Sequence, residues 1–213
     1  LRGFFMKVLL VNGAPHEKGC TYTALCEIEK ELNNHNIETE IFWLGKNAVR
    51  GCIGCGGCAN NNGHCVFNDD VVNTLIDKSE GADGFIFGSA VHYAAPSGTI
   101  CAVLDRAFYA GSKNFKYKPG AAVLSCRRAG STAAFDVLNK YFTISNMPVV
   151  SSGYWNMVHG SKAEDVLQDS EGLQVMRTLG KNMAWLLKCI DLGKNNGVLR
   201  PEDEPKIRTN FIR

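Results

Sequence analysis

The sequence predicts an α/β fold, a doubly wound five-stranded parallel sheet with helices on both faces. Three observations predict it. Short apolar runs rich in branched residues alternate with segments of helical period, the order that builds a parallel sheet covered on two sides. A glycine- and proline-containing loop joins the first such run to the first helical segment. No internal repeat, low-complexity stretch or linker divides the 213 residues, which suffice for one large domain with a real core.

Lys7 to Asn12 (Lys-Val-Leu-Leu-Val-Asn) reads as a buried strand, and Gly13 to Cys20 as a loop. A helix is expected from about Thr21 to Asn34, with Leu25, Ile28 and Leu32 at helical spacing. Glu38 to Trp43 alternates like a second strand. Asp69 and Asp70 stand where they could cap a helix carrying Val71, Val72, Leu75 and Ile76. Gly84 to Ser89 reads as a third strand, opening into a loop from Ala90 to Gly98 and a helix through Leu104 and Phe108. Ala121 to Cys126 is the fourth strand, followed by the loop Arg127 to Ser131 and a helix through Phe135, Leu138 and Phe142. Pro148 to Ser151 is a weaker fifth strand, and an amphipathic helix spans roughly Leu173 to Ile190. The domain is thus expected over residues 6–192, with a cysteine loop at 51–65 inserted after the second strand. Residues 193–213 form a polar surface tail, and residues 1–5 an extension ahead of Met6.

Bulk properties narrow the function. Hydrophobic residues make up 45% and charged residues 21%, ordinary for a globular protein. The formal net charge of +2 is too small to imply nucleic acid or an acidic membrane as a partner. No run of about 18 apolar residues suggests a membrane span. The apolar stretch at the N-terminus is too short for a signal peptide. Nine cysteines without a secretion signal point to a reducing, cytoplasmic compartment, where clustered cysteines bind metal or do redox chemistry.

Ligands of such sheets bind at the carboxyl ends of the strands, so the loops after strands one, three and four are the candidates. The first, Asn12-Gly13-Ala14-Pro15-His16-Glu17-Lys18-Gly19-Cys20-Thr21, would present helix N–H groups to a phosphate, with hydroxyls from Thr21 and Thr23 and a donor from His16. It lacks both the lysine-containing P-loop and the G-x-G-x-x-G pattern, which favours a mononucleotide over a dinucleotide or ATP. A plain strand–helix connection would use the same glycines. After the fourth strand, Arg127 or Arg128 could receive the phosphate of a nicotinamide cofactor. The segment Tyr154-Trp155-Asn156-Met157-Val158-His159-Gly160 is an aromatic cluster that could cover a ligand, pack in the core or meet another subunit.

Cys52, Cys55, Cys58 and Cys65 follow C-x2-C-x2-C-x6-C spacing on one glycine-rich loop. A [4Fe–4S] cluster takes four thiolates from such a compact run, whereas structural zinc more often uses two separated Cys-x-x-Cys pairs. Cluster, free thiols and zinc all remain open, in that order. The remaining cysteines, at 20, 26, 101, 126 and 189, are scattered. No general acid or base stands out as a catalytic residue.

The phosphate loop resembles the Gly-Ser-Pro-Arg…Gly-Asn-Thr signature of flavodoxin-like NAD(P)H-dependent FMN reductases, with Ala14, His16 and Cys20 departing from it. Cys-Ile-Gly-Cys-Gly-Gly-Cys…Cys-Val-Phe-Asn-Asp-Asp is similar to the compact motif of iron–sulfur flavoproteins, and the likeness runs from about residue 7 to 160. The resemblance implies a flavodoxin-like fold and FMN as cofactor. It assigns Gly13, Ala14, His16, Gly19, Cys20, Thr21 and Tyr22 to the FMN phosphate. The Gly-Ser-Ala-Val-His-Tyr segment looks like the family's ring-binding loop, so Ala90, Val91, His92, Tyr93 and Ala94 would contact the isoalloxazine. Ser125, Arg127, Arg128 and Gly130 would close against it. The four cysteines would hold the [4Fe–4S] cluster near the flavin. The implied activity is an FMN-dependent oxidoreductase. It would take electrons from NAD(P)H or a reduced carrier and pass them to a small-molecule or protein acceptor. It would work as a homodimer or homotetramer. The alternative is a non-enzymatic flavodoxin-type carrier docking to redox partners.

Overall fold

The computed structural model describes residues 6–209; the extension at 1–5 lies outside them. Strands β1 (Lys7–Asn12) and β2 (Glu38–Trp43) pair in parallel on either side of helix α1 (Cys20–Asn34) in the sequence. The chain continues through α2 (Val72–Glu80) to β3 (Gly84–His92), which pairs with the opposite edge of β1. The short β4 (Ala95–Pro96), α3 (Gly98–Ala110), α4 (Ser112–Phe115), β5 (Gly120–Cys126) and α5 (Ser131–Ile144) follow. The chain then enters β6 (Met157–His159), α6 (Ala163–Val166) and α7 (Ser170–Asn195). The parallel order is β2-β1-β3-β5-β6, with β4 turned back antiparallel on β3. The doubly wound flavodoxin-like sheet of five parallel strands is therefore present, with β4 as an addition.

Side chains alternate across a strand, and here both faces are covered, which is why the strands read as unbroken apolar runs. Leu9, Val11, Phe85, Phe87, Ala122 and Leu124 face one core with apolar residues of α2, α3 and α5. Val8, Leu10, Ile86, Ala121, Val123 and Val158 face the other with α1 and α7. Because β2 and β3 lie on opposite sides of β1, the connections leaving the carboxyl ends of β1 and β3 diverge. That divergence opens a crevice at the edge of the sheet.

Two expected elements lie elsewhere. The fifth parallel strand is Met157–His159 rather than 148–151. The apolar run at 148–151 makes one isolated bridge, Gly120 to Val149, and the chain then bulges away before rejoining β5 at Leu124. Asn156 mends the gap. It is buried, its Nδ2 donates to the Ala122 carbonyl at 3.0 Å, and its own carbonyl accepts from Leu124 N–H at 2.9 Å. Local apolar composition could not report that bulge. The third strand also runs on to His92 and folds into a hairpin with β4, where the sequence suggested an open loop.

The outer edge of the sheet is tied by charge. Glu40 on β2 accepts from Lys7 Nζ at 2.8 Å and also from Lys78 of α2. The hydrogen bonds from Lys7 and Lys78 hold the Glu40 carboxyl below its ordinary value, and the bond to Glu40 raises Lys7. No helix among the described residues is long and apolar enough to cross a membrane.

The Glu40 network gives a pH-dependent expectation. With a depressed folded pKa, its contribution is complete above the ordinary carboxylate value of 4.5 and is lost as pH falls through the lower folded value. Glu40→Gln should destabilise by about 0.5–1 kcal/mol at pH 7, the scale of a partly exposed ion-pair network. Urea unfolding of both proteins across pH should show that difference shrinking in acid. A difference that grows as pH falls would contradict it.

Candidate functional site

The crevice is built on a pinned loop. Buried Asn12 ends β1; its Nδ2 donates to the Glu17 carbonyl at 2.9 Å and its Oδ1 accepts from Ala14 N–H at 3.1 Å. Gly13 N–H donates to the Gly88 carbonyl at 2.8 Å, and Ser97 Oγ donates to the Gly13 carbonyl at 2.6 Å. Trp43 Nε1, at the end of β2, donates to the Ala14 carbonyl at 2.9 Å. The loop is therefore held from β2, β3 and the start of α3 together.

At its far end α1 begins after Gly19, with no side chain capping it. The first-turn N–H groups of a helix have no intrahelical acceptor, so they are left for an anion. Gly88 lets this terminus approach: a Cβ there would lie 2.7 Å from Thr21 Cγ2 and 3.1 Å from Leu25 Cδ1. Thr21, almost wholly buried, shares a 2.8 Å hydrogen bond with Ser125 Oγ, joining α1 to β5. Thr23 spends its hydroxyl on the Gly19 carbonyl at 3.2 Å, so it is not a spare donor.

The resulting cleft, of about 700 Å³, is lined by Ala14, His16 and Gly19 from the first loop, Cys20 and Thr21 from the start of α1, Ala90, Val91 and His92 from β3, Ser125 of β5 and Arg127 after it. The remaining expected residues do not line it. Gly13 lies beneath, beside Ile100, where a Cβ would be 2.7 Å away. Tyr22 is partly exposed on α1. Tyr93 and Ala94 form the hairpin tip in left-handed conformation (φ 51° and 60°), and Tyr93 is fully exposed. Gly130, at φ 91°, precedes α5 and has Ala94 Cα only 2.8 Å from where a Cβ would sit, so it seats that tip. Arg128 is exposed, and its carbonyl accepts from Cys126 Sγ at 3.7 Å.

The sequence reading left out Pro15, Lys18, Cys126 and most of a fourth wall, residues 160–164, of which only Gly160 belongs to the segment named as a ligand cover. This wall follows β6, so misplacing the fifth strand hid it. Asp165 holds it, accepting from Ser161 N–H at 2.9 Å and Lys162 N–H at 3.2 Å. Lys18, Arg127 and Lys162 outnumber Glu164 at the mouth, which suits an anion. Burial raises the Cys20 and Cys126 thiols, keeping both neutral beside it. A cleft of this size with apolar walls and an uncapped helix terminus fits a phosphorylated flavin.

The cysteine loop leaves the same edge of the sheet, after β2. Gly54, Gly56 and Gly63 take left-handed φ values of 66°, 70° and 80°, and one turn of 3₁₀ helix spans Gly57–Asn60. Asn73 of α2 fixes its end, accepting from Cys65 N–H at 2.9 Å and donating to the Cys65 carbonyl at 3.0 Å. Asp70 accepts from Val72 N–H at 3.1 Å just ahead of α2, but the N-cap position is Val71, with no side-chain cap; Asp69 lies 3.8 Å from Arg50. Cys52, Cys55, Cys58 and Cys65 line one recess with Ile53, Val66, Phe67, Tyr109, Ala110 and Arg106. Among the described residues, no three His, Cys, Asp or Glu side chains converge closely enough to hold a metal ion. The four thiols thus share a recess without forming a coordinating set. The donor chemistry nevertheless fits an iron–sulfur centre: four sulfurs, no carboxylate in the lining, and one cation. That cation, Arg106, stands in the apolar register of α3 with Val103 and Ala107. An arginine so placed was the signal the sequence offered.

The profile of the family described as NADPH-dependent FMN reductase matches residues 6–162. An iron–sulfur flavoprotein of Methanocaldococcus jannaschii is 30% identical over 194 residues, 87% of this chain and 99% of that protein. Among solved structures, RosB with bound 8-demethyl-8-formylriboflavin-5'-phosphate superposes with a TM-score of 0.69 at 13% identity, covering 98% of this chain and 92% of RosB. A flavodoxin from the domain Archaea superposes with a TM-score of 0.59 at 16% identity, covering 86% of this chain and 99% of the flavodoxin. Fold, cleft and sequence match agree, and the chain belongs to the NADPH-dependent FMN reductase family.

Proposed function

We propose that this chain is an FMN-dependent oxidoreductase with two redox centres, FMN in the crevice and a [4Fe–4S] cluster on the cysteine loop. It takes electrons from NAD(P)H or a reduced carrier and delivers them to a small-molecule or protein acceptor. The observation that carries the reading is the shared sheet edge: the uncapped α1 terminus and the four-cysteine recess emerge from adjacent strands and are tied by Trp43 to Ala14. The likeness to iron–sulfur flavoproteins supports the second centre.

When bound, FMN supplies the exchange between paired and single electrons, and a cluster supplies single-electron transfer. The chain's own residues do the positioning. The N–H groups at the start of α1 would hold the phosphate, with Lys18 adding charge and His16 a ring N–H donor at the mouth. Ala90, Val91 and His92 give the ring a wall along β3, and Arg127 and Lys162 are available to the phosphate of a nicotinamide donor. Cys52, Cys55, Cys58 and Cys65 would hold the cluster as thiolates. Exposed Tyr93, Tyr154 and Trp155 support a homodimer or homotetramer as the assembled form.

The test is turnover. Apoprotein titrated with FMN should bind one equivalent, and the holoprotein should oxidise NADPH or NADH with an added electron acceptor in steady state. Flavin bound without turnover on either nucleotide, but rapidly reduced by a one-electron carrier, would move the chain to a pure carrier role. No flavin binding by folded protein would overturn the reading.

Gly88→Ala tests the phosphate assignment. Its methyl would push Thr21 and with it the α1 terminus. FMN affinity should fall about tenfold or more, roughly 1.4 kcal/mol, while riboflavin, which lacks the phosphate, should lose little. Equal losses for both ligands would place the phosphate elsewhere.

A further inference from the structure

Arg106 is among the largest fully buried side chains, at 2% exposure, and it is charged. It leaves α3 towards the cysteine loop rather than towards solvent. Its Nε donates to Cys65 Sγ at 3.2 Å, its Nη1 to the Arg50 carbonyl at 3.2 Å and to Asp70 Oδ2, and its Nη2 to the Phe67 carbonyl at 3.0 Å. One guanidinium thus grips the chain just before Cys52 and again from Cys65 to Asp70, closing the loop against the helix. Burial works against its charge, but the bonds to Asp70 and Cys65 outweigh that and hold its pKa above the ordinary value.

A buried ion pair is weak evidence of stabilisation, because well-packed apolar residues often do as well. The direction of the donors indicates another use. We propose that Arg106 is a positioning residue for the four-cysteine centre, closing its loop at both ends and setting the reduction potential of the cluster through the hydrogen bond to Cys65. The proposal rests on the cluster reading of the loop given above.

The electrostatics follow from charge balance. One-electron reduction of a thiolate-bound cluster adds one negative charge, and a cationic N–H donor at a ligand sulfur stabilises the reduced form more than the oxidised one. Removing the donor lowers the potential. Asp70 acts in the opposite sense, neutralising the guanidinium from its other side; its side chain is 8% exposed. Replacing that carboxylate with a neutral amide raises the potential, because the positive charge facing Cys65 is no longer offset.

The experiment compares wild type, Arg106→Gln and Asp70→Asn, each purified and reconstituted with iron and sulfide without oxygen. Iron per chain is counted, and the midpoint potential is read by spectroelectrochemical titration. Arg106→Gln should shift the oxidised-to-reduced ratio at the wild-type midpoint about tenfold towards oxidised, 59 mV for a one-electron couple. Asp70→Asn should shift it the other way. Shifts of the same sign, or none in iron-loaded variants, would overturn the proposal while leaving the cluster reading intact. If Arg106→Gln does not fold, an unchanged or lowered potential in Asp70→Asn overturns it alone. Wild type that binds flavin but takes up no iron overturns both.

Discussion

At the carboxyl edge of the sheet, Gly13 N–H donates to the Gly88 carbonyl, and beyond that rung β1 and β3 part. The same glycine pair sets what surrounds the opening. Gly88 carries no side chain, so α1 can bring Thr21 and Leu25 against β3. Gly13 carries none either, so Ile100 at the start of α3 can close the floor from the other face. Strand divergence and a closed floor therefore meet the uncapped α1 terminus, which follows Gly19, at one close approach between two backbones.

The two pockets at that edge are built from opposite electrostatic materials. The crevice gathers cations at a wide, open mouth and keeps its own thiols neutral, an arrangement suited to a solvated phosphate that can come and go. The cysteine recess has a single buried cation, balanced by a single buried carboxylate and aimed at one sulfur. That is an arrangement for a fixed centre whose charge changes while its position does not. The hydrogen bond from Trp43 to Ala14 braces them, joining the strand that launches the cysteine loop to the loop proposed to face the phosphate.

Much of this was legible in the sequence because it is written in local terms. The strands covered on both faces show as unbroken apolar runs, and α1 and α2 show by period. The cysteine spacing marks its loop without reference to anything distant. What escaped was non-local. The fifth strand was misplaced because Val149 and Val150 look like a strand, while Met157–His159 is too short to stand out and depends on Asn156 bridging to Ala122. The fourth wall of the crevice was lost with it. Tyr93 and Ala94 read as part of an open loop because a hairpin tip and a loop share the same residues; the distinction lies in pairing with β4. Arg106 was passed over because periodicity marks which face of a helix is buried but not which buried residue is charged for a purpose.

The central claim is that two redox centres share this sheet edge, and counting them is its most direct test. Iron, acid-labile sulfide and flavin should be measured per chain on protein purified without oxygen. The account predicts one FMN with about four irons and four sulfides. Flavin at one per chain with no iron, before and after anaerobic reconstitution, would contradict it and leave a single-centre FMN reductase whose cysteine loop holds thiols alone.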